Sequence, residues 1–177
     1  MSYISNMVFM QTLKAILTDL SLIKYGEYQD KNGSRVLLPD ELFRYRIGTC
    51  YDQALYTYVK LKKIFPKTEV SLFFILNFFP NLKEQQHRSH TGVIIKHPSR
   101  NTYHWVEHAW GDQKGIHTAE NLKELHQTIK RLHRRSQQDY LINWNPSVNV
   151  NKLLNLGKNL TYKKFLDICL EGAQGVK

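Results

Sequence analysis

The chain is poor in cysteine: its 177 residues hold two, Cys50 and Cys169, far apart and outside any CxxC pair. That excludes a disulfide framework and fits a reducing compartment. Glycine is sparse too, with 9 residues and no phosphate-cradling loop among them, so no nucleotide cofactor is implied. Acidic residues number 15 against 25 lysines and arginines. The net charge of +10 favours anionic partners such as nucleic acid, anionic lipid or acidic protein. Long hydrophobic runs are absent, and the most apolar piece, "VSLFFILNFF" at 70–79, has the length of a strand rather than a membrane span. The opening "MSYISNMVFMQTLKAILTDLSL" lacks the basic start and small-residue cleavage site of a signal peptide, and Lys14 and Asp19 interrupt it. These absences predict a cytoplasmic protein.

What is present suits one globular domain over 1–177, with 42% hydrophobic residues to fill its core. Leu13, Ile16, Leu17 and Leu20 recur at helical spacing and predict a helix over 8–23. Residues 24–35 are turn-rich, with Gly26 and Asn32-Gly33. Thr49 followed three residues later by Asp52 reads as a capping box opening a helix to about Lys63. Strands are predicted at 68–78, 90–96 and 102–110, with "HPSRN" as a hairpin turn between the last two. Helical spacing returns over 119–135 and again from Thr161, giving a C-terminal helical extension over about 119–177. The expected class is α+β, with the motifs within about 40–125.

Cys50 falls in the first turn of the capped helix. A helix N-terminus carries partial positive charge and unpaired N–H groups, which stabilise a thiolate and can hold the oxyanion of a tetrahedral intermediate. Gly48 permits a tight turn and keeps the approach to sulfur open. A cysteine nucleophile needs a histidine within hydrogen-bond reach. Of the eight histidines, His90 opens an apolar strand that can aim a side chain, with Gly92 beside it on the same face. If Pro98–Asn101 form a four-residue loop, His97 pairs with Thr102 and Glu107 falls opposite Gly92 and diagonal to His90. Asp112, the nearest competing acid, has the opposite parity. Cys50 is therefore the candidate nucleophile, His90 the candidate base and acid, and Glu107 the group that fixes the imidazole tautomer.

Read together, "GTCYDQA", "HTGVIIK" and "YHWVEHAWGDQKGIH" resemble the transglutaminase-like branch of the papain-like cysteine peptidase superfamily. The nearest likeness is to uncharacterised bacterial members with a GTCWDQ-type nucleophile motif. It covers roughly residues 40–125 and implies a papain-like fold in which the cysteine-bearing helix packs on an antiparallel sheet bearing the histidine and the acid. The family's catalytic residues fall on Cys50, His90 and Glu107. Tyr51 stands where those relatives usually carry tryptophan, and Glu107 where many superfamily members carry Asp. Tyr51, Trp105, Trp110 and His117 are the accompanying substrate-binding or oxyanion candidates. A further oxyanion donor is expected from Arg44–Arg46 or from the 24–35 loop.

Other chemistry fits the pattern less well. The histidines at 87, 90, 97, 104, 108 and 117 match no common zinc spacing, and strand parity sends His104 and His108 to the face opposite Glu107. The basic run at 130–138, followed by Tyr140 and Trp144, has the makings of a nucleic-acid surface, but reads more simply as a helix with a basic polar face. Cys169, in an apolar helical stretch with Phe165, reads as core. The sequence thus predicts a cofactor-free, metal-free cysteine hydrolase acting on the amide bonds of a protein or peptide. Cross-linking by a transglutaminase, or a non-enzymatic basic binding module on the same fold, are the alternatives.

Overall fold

The computed structural model describes residues 5–31, 33–79, 86–134 and 140–175. Residues 135–138 of the basic run, Asn32 of the predicted turn and residues 1–4 lie outside that set. The protein is a mixed helix-and-sheet structure, in line with the α+β expectation.

The first helix, α1 (Asn6–Leu20), begins two residues earlier than its apolar spacing predicts because Ser5 caps it, accepting the Val8 N–H at 3.3 Å. It ends three residues early because the Ser21 hydroxyl donates to the Thr18 carbonyl at 2.7 Å and closes the last turn. Phe9, Leu13, Ile16 and Leu20 form its buried face. The turn-rich stretch then holds three two-residue strands, β1 (Lys24–Tyr25), β2 (Gln29–Asp30) and β3 (Gly33–Ser34). Helix α2 (Pro39–Tyr45), strand β4 (Ile47–Gly48) and helix α3 (Cys50–Ile64) follow.

Five longer strands and one short one make the main sheet: β5 (Val70–Phe79), β6 (Gln86–Lys96), β7 (Tyr103–Glu107), β8 (Gly115–Ala119), β9 (Tyr140–Asn145) and β10 (Gln174–Gly175). Their order is β10-β9-β5-β6-β7-β8, with every neighbouring pair antiparallel. Helices α4 (Leu122–His133), α5 (Val150–Leu156) and α6 (Tyr162–Leu170) complete the chain. The region after residue 119 is therefore not purely helical, since it contributes β9 and β10. β9 pairs along the edge of β5, whose backbone groups would otherwise lack partners.

Alternation divides the sheet into two faces. Leu72, Phe74, Val93, Ile95 and Val106 join the core built with α1, α3 and α6. Phe73, Ile75, Ile94, Trp105 and Trp144 meet Leu125 and Ile129 of α4 on the other side. Burial on both faces explains why β5 reads as a continuous apolar run instead of alternating. Trp144 is 2% exposed and Lys130 lies over its ring, so this tryptophan offers no stacking surface to a nucleic acid. No helix among the described residues is long and apolar enough to cross a membrane.

Candidate active site

The start of α3 is held by a buried carboxylate. Asp52 accepts the backbone N–H of Thr49 at 2.6 Å, the Thr49 hydroxyl at 2.8 Å and the Leu37 N–H at 2.5 Å. Burial pushes its carboxyl above the usual range, and these three donors pull part of that back. Gly48 is needed for close packing rather than for a special turn: a Cβ there would stand 2.5 Å from Leu42 Cδ1 and 3.0 Å from Asp52 Cβ. One turn on, Gln53 donates to the Gly48 carbonyl at 3.1 Å and accepts from His108 Nδ1 at 2.9 Å. Tyr51 hydrogen-bonds the Ser89 hydroxyl, and its ring stacks on Phe165 at 4.5 Å. Backbone and side chains on three sides thus fix the position of Cys50, which is itself buried.

The hairpin takes the register the sequence predicts. His97 N–H donates to the Thr102 carbonyl at 2.8 Å, and the ladder runs from Lys96↔Tyr103 to Val93↔Val106. Glu107 is the next residue of β7, in line with Gly92. Where that ladder ends, the first turns of α3 line a small cavity with Thr91, Gly92, Val106 and Glu107. His90 and Glu107 belong by parity to the face that α4 covers, the face of Ile94 and Trp105.

His90 Nε2 and Glu107 Oε2 are 2.7 Å apart, both side chains almost fully buried. The same carboxylate oxygen accepts the Trp105 indole N–H at 3.2 Å, and Oε1 accepts the Trp110 backbone N–H at 2.8 Å. Three donors therefore fix the acid, as a buried carboxylate requires. Burial of the imidazole opposes its protonation. The Glu107 charge, the Glu107 hydrogen bond and the adjacent Cys50 outweigh that and push His90 up to about 10. With Nε2 committed to Glu107, Nδ1 is the nitrogen that remains for the thiol.

The other predicted residues take distinct places. Trp105 is wholly buried and serves Glu107, and His117 stacks on it at 4.4 Å while donating to the Gln113 carbonyl. Trp105 has no exposed surface for a substrate to touch, while His117 stays partly exposed on β8. Trp110 sets its edge against His90 at 5.4 Å. A pocket of about 130 Å³ opens beside the imidazole, walled by Tyr25, Arg88, Ser89, Ala109, Trp110 and His133. Asp112 lies in a short 3-10 turn beyond the strand. His104 packs with His97 around Phe9 on the opposite face. Among the described residues no set of three His, Cys, Asp or Glu side chains is gathered as a metal-binding group.

Sequence reasoning missed Gln53, His133 and the particular place of Tyr25. Gln53 sits at i+3 from Cys50 and so shares its helix face, a signal that was available. His133 ends α4 with its ring nearly parallel to His90, 6.0 Å away, and nothing local in the sequence points there. Scanned against protein-family models the chain matches none, and a search of curated proteins likewise finds no match.

Proposed function

We propose that the chain is a thiol acyl-transfer enzyme of transglutaminase-like, papain-like fold that hydrolyses amide bonds through Cys50, His90 and Glu107. The observation that carries this reading is the buried His90–Glu107 pair, 2.7 Å apart and electrostatically coupled to a cysteine at the first residue of a helix.

The chemistry follows from the geometry. The Cys50 thiol passes its proton to His90 Nδ1, while Nε2–H donates to Glu107 and holds the tautomer. Sulfur attacks the carbonyl carbon, and the developing oxyanion is met by the Cys50 N–H at the positive end of α3. The C–N bond breaks as Nδ1–H protonates the departing amine, leaving a thioester on Cys50. Water, losing its proton to Nδ1, then attacks the thioester, and the S–C bond breaks to release the acid and the thiol. Hydrolysis is favoured over cross-linking because water is always at hand and a second, amine-binding site is not evident among the described residues. A protein or peptide substrate, a reducing cytoplasmic setting and an anionic partner suited to the +10 charge complete the reading.

p-Nitrophenyl acetate tests it without knowledge of the natural substrate. One equivalent of nitrophenolate should appear in a burst that Cys50→Ala abolishes and Cys169→Ala leaves intact. A burst that survives Cys50→Ala would contradict the reading.

A further inference from the structure

The acyl-transfer reading leaves the oxyanion with a single donor, the Cys50 N–H, whereas such sites gain most from preorganised donors acting together. The turn-rich stretch after α1 supplies a second. β1 runs parallel to β4, with Lys24 opposite Ile47 and Tyr25 opposite Gly48. Lys24 N–H donates to the Arg46 carbonyl at 3.0 Å, and Gly26 N–H to the Gly48 carbonyl at 3.3 Å. These bonds fix the Tyr25 backbone beside the residues that lead into Cys50.

The side chain then bridges solvent and site. Tyr25 is 59% exposed, yet it walls the same 130 Å³ pocket as His90, Trp110 and His133. Its hydroxyl end interacts with both the thiol and the backbone of Cys50. Burial of that end first, and the neighbouring Cys50 charge second, push the phenol well above its usual range. The phenol therefore stays protonated, and remains a donor, throughout the neutral range. The backbone group that a helix's first residue presents is its N–H, so a phenol that interacts with the Cys50 backbone lies near the place where a substrate carbonyl oxygen would accept that N–H. The Gln53 amide is engaged with Gly48 and the Trp105 indole with Glu107. Arg44 lines a separate pocket with Tyr28, Asp30 and Glu41.

We propose that Tyr25 is a catalytic residue, the second oxyanion donor: on substrate binding its hydroxyl cedes the Cys50 N–H to the substrate carbonyl oxygen and donates its own O–H to that oxygen. The inference rests on the acyl-transfer reading, and two reactions of Cys50 separate the two claims. Acylation by p-nitrophenyl acetate passes through a tetrahedral oxyanion: the S–C bond forms, the ester C–O bond breaks and nitrophenolate leaves. Alkylation by iodoacetamide is a direct displacement of iodide and develops no oxyanion. In Tyr25→Phe, which keeps the ring and loses only the oxygen, the acylation rate constant should fall about 10²–10³-fold while alkylation is not slowed. Acylation equal to or faster than wild type in Tyr25→Phe would overturn the proposal, leaving Tyr25 as a cover over the nucleophile. A parallel loss of both reactions would also overturn it, because a purely structural role slows the two alike. A wild-type protein that alkylates readily but gives no burst overturns the acyl-transfer reading itself, and the role of Tyr25 with it.

Discussion

At the level of single residues, the candidate site depends on how completely Glu107 is held. His90, the Trp105 indole and the Trp110 backbone all donate to it. Glu107→Gln is nearly isosteric but introduces an amide donor among donors, so one contact must break and the imidazole loses its anionic partner. Steady-state rates should fall on the order of 10²–10⁴-fold, as for a triad that loses its tautomer-fixing acid. A loss of less than threefold would remove Glu107 from the site. The choice of Glu107 over Asp112 was legible in the sequence because strand parity is a strict rule once the loop length is right. The role of Trp105 was not legible. Its partner is two residues away in its own strand, and only the orientation of the indole reveals the bond.

At the level of elements, the placement of Cys50, the proposed nucleophile, depends on where α3 starts and on where β6 and β7 part. Thr49 and Asp52 announced the first feature, because a capping box needs only local sequence. That Asp52 also ties down Leu37 across the fold was hidden, since this contact spans 15 residues. Gly92 marks the second feature. Phe73 and Trp105 fill the space beside it: a Cβ would stand 2.8 Å from the Phe73 ring and 2.9 Å from Trp105 Nε1. Gly92→Ala should therefore destabilise the protein by about 1–3 kcal/mol and turn the indole away from Glu107. Urea unfolding reads the first effect, and the second appears as slower acylation in the fraction that remains folded. Stability and rate both equal to wild type would show that the rings move aside freely.

At the level of the whole molecule, two sets of histidines set the response to pH in opposite directions. His90 is raised to about 10, so its contribution is complete below the unfolded value near 6.5 and is lost as pH rises toward 10. Burial lowers His104 to about 4, and burial also lowers His97. The unfolded chain therefore binds more protons than the folded one between about 4 and 6.5, and stability falls as pH falls through that window. Glu41, held below the carboxylate range by Arg35, acts in the same sense, while Asp52 acts against it. The unfolding free energy should peak near neutral pH, and His104→Gln should flatten its acid limb. A wild-type curve that is level from pH 4 to 6.5 would contradict this. The sheet's outer strands were the least legible part of the fold. β8 is half-exposed with no apolar run, and the two-residue β10, which pairs β9, is too short to show a pattern of its own.

The most direct test of the central claim is the rate of Cys50 alkylation by iodoacetamide against pH, in wild type, His90→Ala and Glu107→Gln. An assembled thiolate–imidazolium pair predicts fast alkylation of Cys50 below about pH 7, strongly reduced by His90→Ala and weakened by Glu107→Gln. A rate that rises only as an ordinary thiol's does, near a pKa of about 8.5, and that ignores both substitutions would contradict the account.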